Sequence, residues 1–386
     1  MPTTTPNPRI KGGINGKNRG FCSTFAPQIA SIMAKFLLLL LRIILGIALL
    51  IGLALLGIII YGTVTDYQPP ETEDISTEGA SNLPLTDTLT FFSWNIGYCG
   101  LGAKSDFFYD GGKMVHSPQD WVNDNYAQVQ KVLTTQPTPI NFYMLQEVDK
   151  HSKRSYDLDQ VSGISQLLNL NSAFATNYKV KFVPLPFTNP MGYVFSGLAS
   201  YSPHRSVGNT RYQYPGKFEW PRRLFMLDRC FLVQRYDTPN GKQLLVINTH
   251  NSAYDTQGTL KKAEMDYLNR FLTDEYAKGN YIVVGGDWNQ CPPNFDGNKF
   301  LKPGMQPYDP KNIAPDYLPA TWQWAYDANV ATNRSNLFAF DKDKTSTTLI
   351  DFFLVSPNIE ILQTKGIDLQ FQNSDHQPVL MSVKLR

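Results

Sequence analysis

Residues 281–289 read YIVVGGDWN. A run of strand composition passes into two glycines and then an acid, a tryptophan and an amide, so a buried strand would deliver Asp287 and Asn289 together in the loop at its carboxyl end. Alone this means little, because Asp and Asn are favoured wherever a strand turns into a loop and their side chains can bond the local backbone. The weight lies in repetition. TLTFFSWN (88–95) ends on Asn95, INFYMLQE (140–147) on Glu147 and QLLVINTH (243–250) on His250. TLIDFFLVS (348–356) carries Asp351, and NSDHQP (373–378) carries Asp375 and His376. Each run is expected to bring its polar group at or near the carboxyl end of a strand, or just after it.

These residue types suit one chemistry. Phosphoesters are anionic and resist attack, so a catalyst must neutralise charge, activate a water and help the leaving oxygen depart. Asn95 and Glu147 offer the hard oxygen ligands that a Mg²⁺-type ion takes while it keeps several waters. Asp287 is placed to orient or deprotonate a water, and Asn289 to contact a phosphate oxygen. His376 would act as general base or as a phosphate-polarising cation, with Asp351 the candidate to fix its tautomer. His250 would be a second imidazole at the phosphate.

The ordered set WNIG, LQEVD, INTH, GGDWN, LIDFFLVS and SDHQPV resembles the endonuclease/exonuclease/phosphatase superfamily, the fold of DNase I, abasic-site endonucleases, neutral sphingomyelinases and inositol polyphosphate phosphatases. The resemblance covers residues 88–386, and GDWN and SDHQPV are its specific pieces. It implies a four-layer α/β sandwich, with two mixed β-sheets face to face and helices on both outer faces. It also implies Asn95 and Glu147 as metal ligands with Asp375 beside them, and Mg²⁺ or Mn²⁺ as cofactor. Asp287 and Asn289 would position nucleophile and phosphate, Asp351 would support His376, and His250 would contact the scissile phosphate. Several nuclease members orient the counterpart of His250 with a glutamate on a central strand. The matching run, RRLFMLDRCFLVQRY (222–236), has none, which leaves Asp228 as a substitute. Arg229 and Arg154 are assigned to substrate binding, which suits a guanidinium's planar donors. Asp228 and Arg229 fit a structural ion pair equally well.

The motifs span Asn95 to His376, which leaves no room for a second enzyme domain, and 42% hydrophobic with 13% aromatic residues supplies ample core. Ahead of them, Ile43 to Tyr61 carries no charge for 19 residues. As a helix this spans about 28 Å, enough for a bilayer's hydrocarbon core. The expected organisation is a basic, disordered tail (1–35), a transmembrane helix (36–62), an acidic linker (63–87) and a catalytic domain (88–386). Residues 1–62 hold Arg9, Lys11, Lys17, Arg19, Lys35 and Arg42 and no acid, whereas 63–87 hold six acids and no base. That asymmetry keeps the N-terminus cytoplasmic and puts the catalytic domain outside, in a single-pass protein. The rival, a cleaved signal peptide, wants small residues where GIIIYGTVTDY has bulky ones.

The chain is +2 overall, but 29 bases and 33 acids fall in residues 63–386, a formal charge of −4. A general nucleic-acid binder should show a basic footprint instead. A local cluster, His204, Arg205, Arg211, Arg222, Arg223 and Arg229, would form a positive rim or simply a solvated surface. Of Cys22, Cys99, Cys230 and Cys291, none has zinc spacing; buried thiols are expected, with a Cys99–Cys291 disulfide conceivable. Further strands are expected at SGLASYS (196–202), RRLFMLDRCFLVQRY and PVLMSVKL (378–385). Helices are expected at WVNDNYAQVQKVLTT (121–135), DLDQVSGISQLLN (157–169) and TLKKAEMDYLNRFLTDEY (259–276), and PNGK (239–242) should close a hairpin. Residues 98–113 and the aromatic stretch 212–223 are candidate cleft borders, and 292–319 reads as a long loop insertion. The sequence thus points to a metal-dependent phosphodiesterase or nuclease that takes a phosphoester substrate, anchored in a lipid bilayer, with no protein partner inferred. The alternatives are a phospholipid- or sphingomyelin-directed hydrolase and, in another class, a non-catalytic tethered binding protein.

Overall fold

The computed structural model describes residues 12, 25–253, 255, 258–305 and 311–386. The chain divides into two units, Met1–Tyr61 and Gly62–Arg386. The apolar run forms helix α1, Phe25–Val64, long and apolar enough to cross a membrane. It is longer at both ends than the expected 36–62, since Pro27 falls in its first turn, where a missing N–H costs nothing. Residues 25–35, expected as tail, are therefore helical. The rest of that tail, apart from Gly12, lies outside the described residues, and Cys22 with it.

Next in chain order come β1 (Thr72–Asp74), β2 (Thr88–Asn95), α2 (Gln119–Thr134), β3 (Phe142–Asp149), α3 (Gln160–Leu168), β4 (Asn171–Val183) and β5 (Gly192–Ser202). Then follow β6 (Gly208–Gln213), β7 (Cys230–Asp237), β8 (Gln243–His250), α4 (Thr259–Ala277) and β9 (Tyr281–Asp287). The chain finishes with β10 (Gln323–Ala325), β11 (Asn333–Arg334), β12 (Thr347–Thr348), β13 (Asp351–Val355), β14 (Ile359–Gly366) and β15 (Val379–Leu385). One sheet has the order β14-β15-β2-β3-β5-β4 and the other β1-β6-β7-β8-β9-β13-β10, while β11 and β12 form a short ribbon.

Two neighbouring pairs are parallel, β2 with β3 and β8 with β9. A parallel pair needs a crossover, and α2 and α4 provide them. The sheets meet through Leu89, Phe91, Phe142 and Met144 on one side and Leu244, Val246, Val283 and Phe353 on the other. Leu268 and Leu272 of α4 cover the outer face of the second sheet against Phe231, Ile247 and Val284. Val122, Val129 and Ile164 of α2 and α3 cover the first sheet against Phe92, Trp94 and Leu145. The result is the expected four layers.

Several expectations change in detail. The acidic stretch 63–87 is part of the second unit, because β1 pairs with β6 and Glu78 bridges Ser172. Within 222–236, Arg222–Phe225 is a single 3-10 turn and the strand starts only at Cys230, so Asp228 and Arg229 lie in a loop. Asp351 opens β13 instead of closing it, and antiparallel pairing sets it opposite Asp287. In the insertion after GDWN, Phe295, Ile313 and Leu318 bury into the core beside α4, while residues 306–310 lie outside the described set. Cys99, Cys230 and Cys291 are buried thiols.

Candidate active site

Register alone aligns half of the site. His250 pairs with Asp287 across β8 and β9, and Asp287 pairs with Asp351 across β9 and β13, so three neighbouring strands present them in a row. Gly286 makes this possible. Its φ is +146°, and a Cβ there would sit 2.0 Å from the Thr249 carbonyl oxygen, so no larger residue fits before Asp287. On the facing sheet Asn95 pairs with Gln146, and the next residue, Glu147, stands in a bulge with φ +53°. The bulge turns Glu147 out of the alternation. Gln146 then clips the sheets together, its Nε2 donating to Asn248 Oδ1 at 2.7 Å.

The Asn95 side chain is the hub. Its Nδ2 lies 3.2 Å from Glu147 Oε1, 3.1 Å from Asp287 Oδ2 and 3.4 Å from His376 Nε2, while its Oδ1 accepts from Gly97 N. His250 Nε2 is 3.3 Å from Asp287 Oδ2 and 3.9 Å from Glu147 Oε1. His376 Nδ1 is 2.8 Å from Asp351 Oδ2, and its Nε2 is 3.7 Å from Asp287 Oδ2. Ligand atoms of Asp287, Asp351 and His376 all lie within 4.8 Å of one another. Asp375 stands against Gly97, where a Cβ would meet its Oδ1 at 2.9 Å, and accepts from Asn336 Nδ2 at 2.7 Å. Asn95, Glu147, His250, Asp287, Asp351, Asp375 and His376 are thus brought together, whereas Asn289, Arg154 and Asp228 are placed otherwise than expected.

Asn289, with φ +50°, donates its amide to the Asn251 carbonyl and its backbone N–H to Asp287 Oδ1. It holds the loop and fixes the Asp287 carboxylate. Lys261 of α4 secures the same loop, its Nζ donating to Asn289 O at 3.0 Å. Arg154 is placed otherwise than expected. It is buried, gives Nε and Nη2 to Asp149 at 3.1 and 2.8 Å, and stacks 3.7 Å from the Tyr98 ring centre. Asp228 does not take the role of the missing glutamate: it lies 3.8 Å from Lys217, and His250 Nδ1 is buried with no hydrogen-bond partner among the described residues.

Electrostatics separate the two imidazoles. Burial, with the positive charges of Arg229 and His376, pushes His250 well below the ordinary histidine value. Burial would lower His376 too, but Asp351 and Asp287 outweigh it and hold that imidazole well above the ordinary value. Burial also raises Asp287, to about 6, and raises Glu147 and Asp351.

Sequence reasoning misses Asn333, Asn336 and Thr332. Asn333 lies 2.9 Å from His376 Nε2, Asn336 bonds Asp375, and Thr332 Oγ1 accepts from the Asp351 backbone N–H at 2.9 Å. All three belong to irregular chain or to the short β11 ribbon, so no apolar run marks them. Asn333 turns Nδ2 to His376 and leaves Oδ1 buried without a hydrogen-bond partner among the described residues. An imidazolium donates from Nε2, so a cationic His376 calls for the Asn333 amide to offer Oδ1 instead, at the loss of a 3.3 Å bond to Asp375 O.

No family model matches the sequence, and no curated protein does. Solved structures match. An endonuclease/exonuclease/phosphatase from Beutenbergia cavernae DSM 12333 gives a TM-score of 0.50 at 17% identity, over 77% of this chain and 72% of that one. One from Bacteroides vulgatus gives 0.49 at 14%, over 78% and 99%. The human Nocturnin catalytic domain with bound sulfate gives 0.48 at 13%, over 81% and 98%.

Proposed function

From the endonuclease/exonuclease/phosphatase fold, which this chain shares with the Beutenbergia protein, we propose a metal-dependent phosphoester hydrolase, specifically a phosphodiesterase. The observation that carries the reading is the meeting of Asn95, Glu147, His250, Asp287, Asp351 and His376 at one edge of two facing sheets.

The donor set fits a divalent cation. Glu147, Asp287, Asp351 and Asp375 gather there, while Arg154 is engaged by Asp149, so carboxylates outnumber the cationic groups left to balance them. Glu147, whose side chain keeps 24% exposure, would hold Mg²⁺ or Mn²⁺ with Asp375, and Asn95 would join them once its amide turns to offer Oδ1, which here accepts from Gly97 N. The ion would neutralise phosphate charge and stabilise the departing oxygen. Asp287, buried and raised to about 6, accepts the proton of the attacking water. His376, kept cationic by Asp351, polarises the phosphate, and neutral His250 hydrogen-bonds it. Arg229 supplies a further positive charge, which reaches His250 and Asp287. Helix α1 anchors the enzyme in a membrane, with the basic N-terminal side cytoplasmic and the catalytic unit outside.

The test is EDTA-sensitive hydrolysis by the purified full chain across plasmid DNA, RNA, phospholipids and soluble phosphate esters, with Asp287→Ala as control. Turnover that needs Mg²⁺ or Mn²⁺ and is lost in the variant supports the proposal. Turnover in Asp287→Ala within about tenfold of the parent would mean that Asp287 is not the proton acceptor.

A further inference from the structure

We infer that the cavity beside Arg229 is the subsite for the polar headgroup of a membrane lipid, and hence that the phosphoester cleaved belongs to a lipid; the inference rests on the hydrolase reading and on α1 as a membrane anchor. The cavity measures about 490 Å³, with the open solvent at its mouth included. Its lining includes Arg229, Ser252 and Glu264. Ser252 stands two residues beyond His250, and its backbone N–H is held by Glu264 Oε2 at 2.9 Å, so this wall continues the catalytic edge. Nη1 of Arg229 is buried with no hydrogen-bond partner among the described residues, which a substrate phosphate would satisfy.

Asp66, Tyr67 and Gln68 also line the cavity, and they follow Val64, the last residue of α1, almost directly. Two intervening peptide steps span only about 7 Å, so Asp66 on the cavity wall cannot lie far from Val64. The final residues of α1, from Gly62 on, belong to the second unit and are tied within it: Trp220 Nε1 donates to Thr63 Oγ1 at 3.2 Å, and Arg223 reaches Asp66 at 3.8 Å. Trp220 is 54% exposed, and Lys179, Lys181, Lys217, Arg222 and Arg223 are at least partly exposed as well. Lys179 lies 5.3 Å from the Tyr67 ring centre, which puts a cation beside the same segment. An amphipathic aromatic among cations is the composition that settles at a headgroup layer. The walls carry both charge signs, as a polar headgroup requires and an acyl chain does not. In the reaction, water oxygen bonds to phosphorus, one P–O ester bond breaks, one water proton passes to Asp287, and the departing alkoxide takes a proton from solvent.

The experiment uses the full chain in phosphatidylcholine vesicles carrying phosphatidylglycerol, sphingomyelin or phosphatidylinositol phosphate. Bis(p-nitrophenyl) phosphate and a single-stranded oligonucleotide serve as soluble probes. Leu260→Trp, and separately Leu227→Trp, fill the cavity from positions outside the catalytic cluster. Expected is a fall in lipid turnover of about tenfold or more, with bis(p-nitrophenyl) phosphate turnover changed by less than about twofold. Lipid turnover unchanged in both variants overturns the subsite, and so does an equal fall on lipid and soluble probe. Oligonucleotide cleaved while every vesicle lipid stays intact overturns the lipid assignment but leaves the hydrolase standing. No turnover of any probe with Mg²⁺ or Mn²⁺ overturns the hydrolase reading itself.

Discussion

Asp351→Asn separates catalysis from folding at this site. The Asp351 carboxylate is fully buried and lies 2.8 Å from His376 Nδ1. Asparagine keeps the shape and can still accept from Nδ1, so what is lost is charge. Two unit charges about 4 Å apart interact by about 4 kcal/mol at an effective dielectric near 20. That is about three decades in the imidazole's protonation equilibrium. If the cationic His376 polarises the phosphate, turnover should fall on the order of 10²–10³-fold. Stability should move the other way or not at all, because burial already raises Asp351 despite the neighbouring imidazole, and an amide pays no such desolvation cost. The assay is turnover of bis(p-nitrophenyl) phosphate at saturating Mg²⁺, paired with Tm by calorimetry. Turnover within about tenfold of the parent refutes the dyad. A lost activity that tracks a Tm lowered by several degrees would make Asp351 a structural group instead.

Other consequences are checked away from the dyad. Burial would raise the Glu275 carboxyl, but donors on Arg235, Lys278 and Asn280 outweigh it and bring it down to about 2. Its folded value is therefore depressed, so its stabilisation is full above about pH 4.5 and is lost as pH falls toward 2. The shift bounds this at about 3 kcal/mol, and discounting the exposed Lys278 leaves about 2; Glu275→Gln should lose that amount at pH 7 and flatten the acid limb of urea-unfolding midpoints. Gly286→Ala, forced against the Thr249 carbonyl, should cost more than about 2 kcal/mol and depress turnover together with Tm. Mg²⁺ at about 100 times its Kd should stabilise the parent by about 2.7 kcal/mol; Glu147→Gln should lose most of that gain, and a gain kept in full would remove Glu147 from the metal site.

The legible parts of the sequence are those where an apolar run ends on a polar group. TLTFFSWN and QLLVINTH coincide with β2 and β8 residue for residue, because burial of the run and the demand for a polar edge fix both boundaries. Glu147 is legible as a run's end, yet β3 continues to Asp149, and only the bulge at Glu147 lets it face Asn95 and His250. Composition cannot show a positive φ at a non-glycine residue. Asp351 is legible with its direction reversed, since a run does not state which of its ends meets Asp287. Strand β4, NSAFATNYKVKFV, escapes such a reading because it edges its sheet and leaves Lys179 and Lys181 exposed, which breaks the apolar run. Asn333 and Asn336 act on their neighbours through loop geometry, which leaves no periodic trace.

Strand direction explains why one edge holds all of the site. A parallel pair ends both strands at the same edge, so β2 with β3 and β8 with β9 each bring two carboxyl-terminal residues together. An antiparallel neighbour reaches that edge with its first residue, which is how Asp351 enters the row beside Asp287. The two sheets then have to present these edges to each other, and the buried bond from Gln146 to Asn248 keeps them in phase directly beneath the cluster. Held this way, Glu147 and Asn289 keep left-handed conformations that cost of order 1 kcal/mol or more each, sustained by the packed core below. The packed core and the strand registers therefore hold the groups in place by themselves. With the edge so fixed, differences in what such a site admits fall to the loops around it, and in this chain one such loop, from Gly216 to Arg229, together with the residues after α1, lines the cavity that includes Arg229 and Ser252.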